Sequence, residues 1–123
     1  MKVLVIEDNP TDLKLMGEVL KMSGHIVREG TSAEEAVDAI AADKPDIILL
    51  DLHLPGMDGL TLVRQLKVNA ATNLIPIVAV TAYTDRYRRE DIAAAGCDAC
   101  ITKPIDTRSL SKQLEQTAGN KIK

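Results

Sequence analysis

The chain has 123 residues, of which 46% are hydrophobic and 27% charged, with a formal net charge of -3. That length suits one compact domain, and the supply of apolar side chains is enough to build its core, which excludes a disordered chain. The negative balance offers no basic field for a phosphate backbone and argues against nucleic acid as a direct partner.

Phe and Trp are absent and Tyr occurs twice, so Val, Ile, Leu, Ala and Met must fill the core. The opening MKVLVIEDNP sets charge directly after a short apolar run. That run is too brief for a signal-peptide core or a bilayer span, so the expectation is a cytoplasmic protein without membrane insertion. Cys97 and Cys100 do not make the disulfide framework of a small secreted protein.

In chain order, a first strand is predicted over residues 3–6. A helix follows, with Asn9 as N-cap, Pro10 in its first turn, Leu13, Met16, Val19 and Leu20 on one face, and Gly24 at its end. A weaker strand is predicted over 25–28. The second helix opens at Ser32 with Glu35 three residues on, a capping-box pattern, and carries Ala36, Val37 and Ile40 until Lys44-Pro45 stops it. A third strand is predicted over 47–50, and Leu60, Val63, Leu66 and Lys67 mark the third helix. A fourth strand is predicted over 76–80, a fourth helix over 85–95 ending at Gly96, and a fifth strand over 99–102. The last helix, after Asp106 or Thr107, carries Leu110 and Leu114, and a polar tail is expected over 119–123, leaving residues 1–118 as the domain.

Apolar strands alternating with amphipathic helices predict an α/β fold, a parallel sheet covered on both faces in three layers. Ligands of such sheets bind outside the carboxyl ends of the strands, where the winding reverses. Glu7 and Asp8 follow the first strand, Asp51 ends the third, Thr81 the fourth and Lys103 the fifth. Clustered acids repel one another until a proton or a cation neutralises them, and Mg²⁺ takes one or two carboxylates together with phosphate oxygens. Asp51, anchored on a deeply apolar strand, is the expected nucleophile for an acyl phosphate. Lys103 is expected to pair with a phosphoryl oxygen, and the Thr81 hydroxyl to bond another only in the phosphorylated state, as a switch requires. Taken singly, each has a plainer reading: a turn acid at Asp51, a strand residue at Thr81, a surface charge at Lys103, helix-start acids at Glu7 and Asp8. Their joint placement at successive strand ends favours the chemistry.

With VLVIEDNP, IILLDLHLPGMDG, IVAVTA and ITKP in this order, the sequence resembles the receiver domain of bacterial two-component response regulators across essentially its whole length, in the single-domain, chemotaxis-regulator-like form. The resemblance implies a flavodoxin-like fold with strand order 2-1-3-4-5 and phosphorylation at Asp51. It also implies Mg²⁺ held by Asp8, Asp51 and the backbone carbonyl of His53, with Glu7 in the same pocket, a switch hydroxyl at Thr81, a phosphate-binding Lys103 and a cis Lys103-Pro104 bond. The phosphoryl group would come from a sensor histidine kinase or a histidine phosphotransfer protein. The receiver, a signalling switch rather than a metabolic enzyme, would catalyse its own phosphorylation and dephosphorylation and pass the signal to a downstream protein target.

One departure stands out. Receivers usually carry Tyr or Phe three residues before the lysine, and here that position is Cys100, which leaves Tyr83 or Tyr87 as substitutes. Cys97 and Cys100 also spell C-x-x-C, but the segment leads into a strand rather than opening a helix, so structural thiols are expected over a redox pair. The His53 side chain is expected at the rim, influencing phosphate lifetime. Two rivals remain. A pseudo-receiver acting as a binding module would lack an acid, the threonine or the lysine, and an aspartyl-phosphate hydrolase would want an acid where His53 stands.

Overall fold

The apolar runs form five strands and the segments of helical period form five helices, among the residues that the computed structural model describes, 1–82 and 87–122, the last three by backbone alone. They are β1 (Lys2–Ile6), α1 (Pro10–Met22), β2 (Ile26–Gly30), α2 (Ala33–Ala42), β3 (Ile47–Asp51), α3 (Gly59–Val68), β4 (Ile77–Ala82), α4 (Arg89–Ala95), β5 (Ala99–Lys103) and α5 (Leu110–Ile122). Every strand pair is parallel and the order is β2-β1-β3-β4-β5, the flavodoxin-like order that the resemblance implied.

Strand residues alternate between two cores. Leu4, Ile6, Ile48, Leu50, Ile77 and Ala79 face α2, α3 and α4, while Val3, Val5, Ile47, Leu49, Val78 and Val80 face α1 and α5. Burying each large aliphatic side chain gains roughly 1.5–3 kcal/mol over exposing it. The four fully buried residues of Ile47–Leu50 therefore fix the strand end that carries Asp51.

Local signals set the helix starts. The Asn9 side chain accepts from the Thr11 and Asp12 N–H groups, with Pro10 next in line. Ser32 accepts from the Glu35 N–H at 3.2 Å, but the Glu35 carboxylate returns to the N–H of Thr31 at 2.7 Å, one residue before the cap. Gly96 ends α4 with φ +116°, a left-handed conformation costly for any side chain.

Four expectations shift. β2 begins at Ile26, opposite Lys2, rather than at position 25, whose N–H is taken by the Leu20 carbonyl of α1, and it runs on to Gly30 opposite Ile6. Of the apolar residues named along the second helix, Ala36 and Ile40 are buried and Val37 lies 48% exposed. The α5 backbone stays helical through Gly119 to Ile122, where a tail was expected, and Lys123 lies outside the described residues. The predicted opening of the fourth helix at Asp85 also lies outside them, and the described helix starts at Arg89.

Candidate functional site

Each strand end delivers its side chain to one rim. Glu7 and Asp8 leave β1, Asp51 closes β3, Thr81 lies one residue past the Val80 that pairs with Asp51, and Lys103 closes β5 opposite Ala82. A cleft of about 310 Å³ lined by Glu7, Asp8, Asn9, Asp51, His53, Ala82 and Lys103 opens there. Two roomier hollows, one below the sheet beside Met1 and Pro76 and one between α2 and α3, hold no such acid cluster.

Lys103 is the hub. Its ammonium lies 2.8 Å from Glu7 Oε1, 3.1 Å from Asp51 Oδ2 and 3.1 Å from Asp12 Oδ2. Burial alone would lower a lysine's pKa, but the three carboxylates more than reverse that and hold Lys103 above its ordinary range. The other Asp51 oxygen, Oδ1, accepts the backbone N–H of His53 at 2.8 Å. Asp51 is almost fully buried, and both of its oxygens are oriented before any ligand arrives.

Glu7 is fully buried. Burial, and then the adjoining Asp51 carboxylate, push its carboxyl up to about 8 from the ordinary 4.5, against the pull of Lys103 and the Asn9 N–H. Its Oε2 accepts that N–H at 3.2 Å. Its Oε1 meets Lys103 as an ion pair and, among the described residues, is the buried side-chain oxygen left without a hydrogen bond. Ligand oxygens of Glu7, Asp8 and Asp51 all lie within 4.8 Å of one another. A buried oxygen that accepts no hydrogen bond, beside two further carboxylates of which Asp8 is exposed to solvent, is a donor set that suits a hard divalent cation.

Thr81 is buried, and its hydroxyl donates to the Ala82 carbonyl at 3.4 Å. The His53 side chain is exposed at the rim, as expected, and its residue forms an isolated antiparallel bridge with Asp58 that closes the loop after β3. The Lys103-Pro104 bond is cis.

Cys97 and Cys100 are free, half-buried thiols packed against the core. Burial, with Cys100 and Asp98 next, pushes the Cys97 thiol up to about 12, and burial also raises Cys100 against the charge of Arg89. Both shifts disfavour the reactive thiolate, which agrees with structural thiols.

Three features escaped the sequence. Asp12, in the first turn of α1, reaches the rim because the helix after β1 starts above the strand ends, so an acid there was a legible signal. Gly59 packs on the backbone of Leu52, where a side-chain carbon would lie 2.5 Å from Cα and 2.6 Å from the carbonyl oxygen. Tyr87, named beside Tyr83 as a substitute aromatic, sends its hydroxyl to the Leu52 carbonyl and the Asp58 carboxylate. Tyr83 lies outside the described residues.

The family model of the response regulator receiver domain matches residues 3–115. The polar-differentiation response regulator DivK of Brucella ovis is 33% identical over 118 residues, 96% of each chain. The signal receiver domain of a signal transduction histidine kinase from Syntrophus aciditrophicus superposes with a TM-score of 0.88 at 28% identity, over 97% of this chain and 90% of that one. The chemotaxis response regulator CheY4 of Vibrio cholerae gives a TM-score of 0.86 at 23% identity, over 94% and 97%, and shares the fold. Among the described residues no helix is long and apolar enough to cross a membrane.

Proposed function

This chain belongs to the response regulator receiver domain family, and we propose that within it the protein is a phosphoacceptor switch, charged on Asp51 and read out by protein contact. The carrying observation is the Lys103 ammonium held at 3.1 Å from Asp51 beside the acid trio Glu7, Asp8 and Asp51. A carboxylate at the end of a rigid strand attacks phosphorus, the donor's bond to phosphorus breaks, and the leaving group takes the electron pair. Lys103 is in place to meet a phosphoryl oxygen, and the Thr81 hydroxyl takes another once the group is present.

Asp8, Asp51 and Glu7, with the His53 backbone carbonyl, would hold Mg²⁺, which when bound neutralises the acids and polarises phosphoryl oxygens. Phosphohistidine on a sensor kinase or a phosphotransfer protein fits as the donor, and a downstream protein as the target, in a cytoplasmic setting. With a full set of acid, threonine and lysine present, the phosphoacceptor is favoured over a pseudo-receiver.

The test is intact mass after incubation with Mg²⁺ and either acetyl phosphate or phosphoramidate. A phosphate-sized increase that is lost in Asp51→Asn and in chelator is expected. No increase from either donor would overturn the reading in favour of a binding module.

A further inference from the structure

The Lys103 ammonium is shared among acidic groups from three elements: it donates to Asp12 in α1 and Asp51 in β3 and lies 2.8 Å from Glu7 after β1. A phosphoryl group on Asp51 brings about -1.5 to -2 of charge to the same ammonium. It takes over from the Asp51 oxygen and, with more charge and three acceptor oxygens, draws the ammonium away from its other two partners. Glu7 is wholly buried and cannot turn to water for a new partner, whereas the Asp12 side chain is 33% exposed and water can replace its bond. Asp12 is therefore the replaceable member, and in the uncharged protein it competes for the group that the phosphoryl needs. Its carboxylate also stands 3.1 Å from the ammonium that an anionic donor has to approach.

We propose that Asp12 is a positioning and specificity-determining residue: it holds Lys103 back in the resting protein and slows charging of Asp51 by small anionic phosphodonors. The proposal rests on the phosphoacceptor reading above. In the step concerned, an Asp51 oxygen bonds phosphorus, the bond from phosphorus to the bridging oxygen of acetyl phosphate breaks, and acetate leaves with the electron pair.

Two measurements on the full chain test it. With acetyl phosphate and Mg²⁺ followed by intact mass, Asp12→Asn should charge roughly three- to tenfold faster at low ionic strength, with the gain shrinking as salt screens the donor's repulsion. Asp12→Glu, which keeps the charge, should stay near the wild-type rate. The second readout is the Lys103 ammonium in ¹H–¹⁵N correlation spectra of the uncharged protein, expected as a narrow resonance in wild type and Asp12→Glu and broadened by exchange in Asp12→Asn.

A labelled wild type with an equal or slower Asp12→Asn overturns the proposal and leaves the phosphoacceptor standing. An ammonium signal unchanged by Asp12→Asn also overturns it, since the restraint is then absent. A wild type labelled by no donor removes the phosphoacceptor reading and this one with it.

Discussion

The Tyr87 hydroxyl lies 3.0 Å from the Asp58 carboxylate and 3.2 Å from the Leu52 carbonyl, so one side chain before α4 touches both ends of the loop that follows Asp51. Those acceptors already serve that loop. Asp58 caps α3 through the Leu60 N–H at 2.9 Å, and the Leu52 carbonyl takes the Gly59 N–H at 3.0 Å. A phenol has one proton to give, so Tyr87 reinforces a closed loop rather than creating it.

Tyr87→Phe removes this bond while leaving both acceptors partnered. The expected cost is therefore the net worth of a hydrogen bond, about 0.5–1.5 kcal/mol, without the penalty of an orphaned buried group. Urea unfolding measures it, and amide shifts of residues 52–58 report whether the loop loosens. Unmoved shifts together with unchanged stability would remove Tyr87 from the support of the site.

Gly59→Ala meets backbone rather than a flexible side chain, because its methyl would fall 2.5 Å from Leu52 Cα. Either the loop or the strand end must move. A loss of about 1–3 kcal/mol is expected, as for other overpacked positions. Leu52 adjoins Asp51, so weaker Mg²⁺ binding by calorimetry should accompany the loss. Wild-type stability in this variant would mean that the close approach relaxes at no cost.

The strand positions were legible because their cause is local. An uninterrupted run such as Ile47–Leu50 admits few placements other than a strand covered on both faces. The rim acids and Lys103 were legible for the same reason, since residues at strand ends reach the rim whatever the loops do. His25 was misjudged because its apolar neighbours spoke for a strand, while its bonds to Met1 and Ser111 are set by tertiary structure. The Tyr87 bonds span 35 and 29 residues and leave no mark in any local pattern. A buried row, Leu110, Leu114 and Ala118, anchors α5 up to the point where composition turns polar, and the backbone continues the helix from there to Ile122.

The thiols give a chemical check on the C-x-x-C reading. With Cys97 pushed up to about 12, its thiolate at about pH 8 is roughly a thousandfold scarcer than that of a thiol at the ordinary 9.0. Iodoacetamide should label the folded protein slowly and the urea-unfolded protein at the rate of free cysteine. Fast labelling of the folded chain would reopen a redox role.

Glu7 links the site to pH. In the metal-free protein its carboxyl stands at about 8, against 4.5 ordinarily, with burial the first cause and Asp51 the next. Between those values the folded chain keeps a proton that the unfolded chain has lost, so stability falls as pH rises. The contribution is fully present below 4.5 and is lost as pH climbs through about 8. A cation taken up by Glu7, Asp8 and Asp51 would displace that proton, so its affinity should grow over the same window. The rise in Tm caused by Mg²⁺ should therefore be larger at about pH 8.5 than at about pH 6.5, and Glu7→Gln, which has no proton to trade, should flatten that difference. Equal Mg²⁺ shifts at both pH values in the wild type would mean that Glu7 does not give up a proton to the cation.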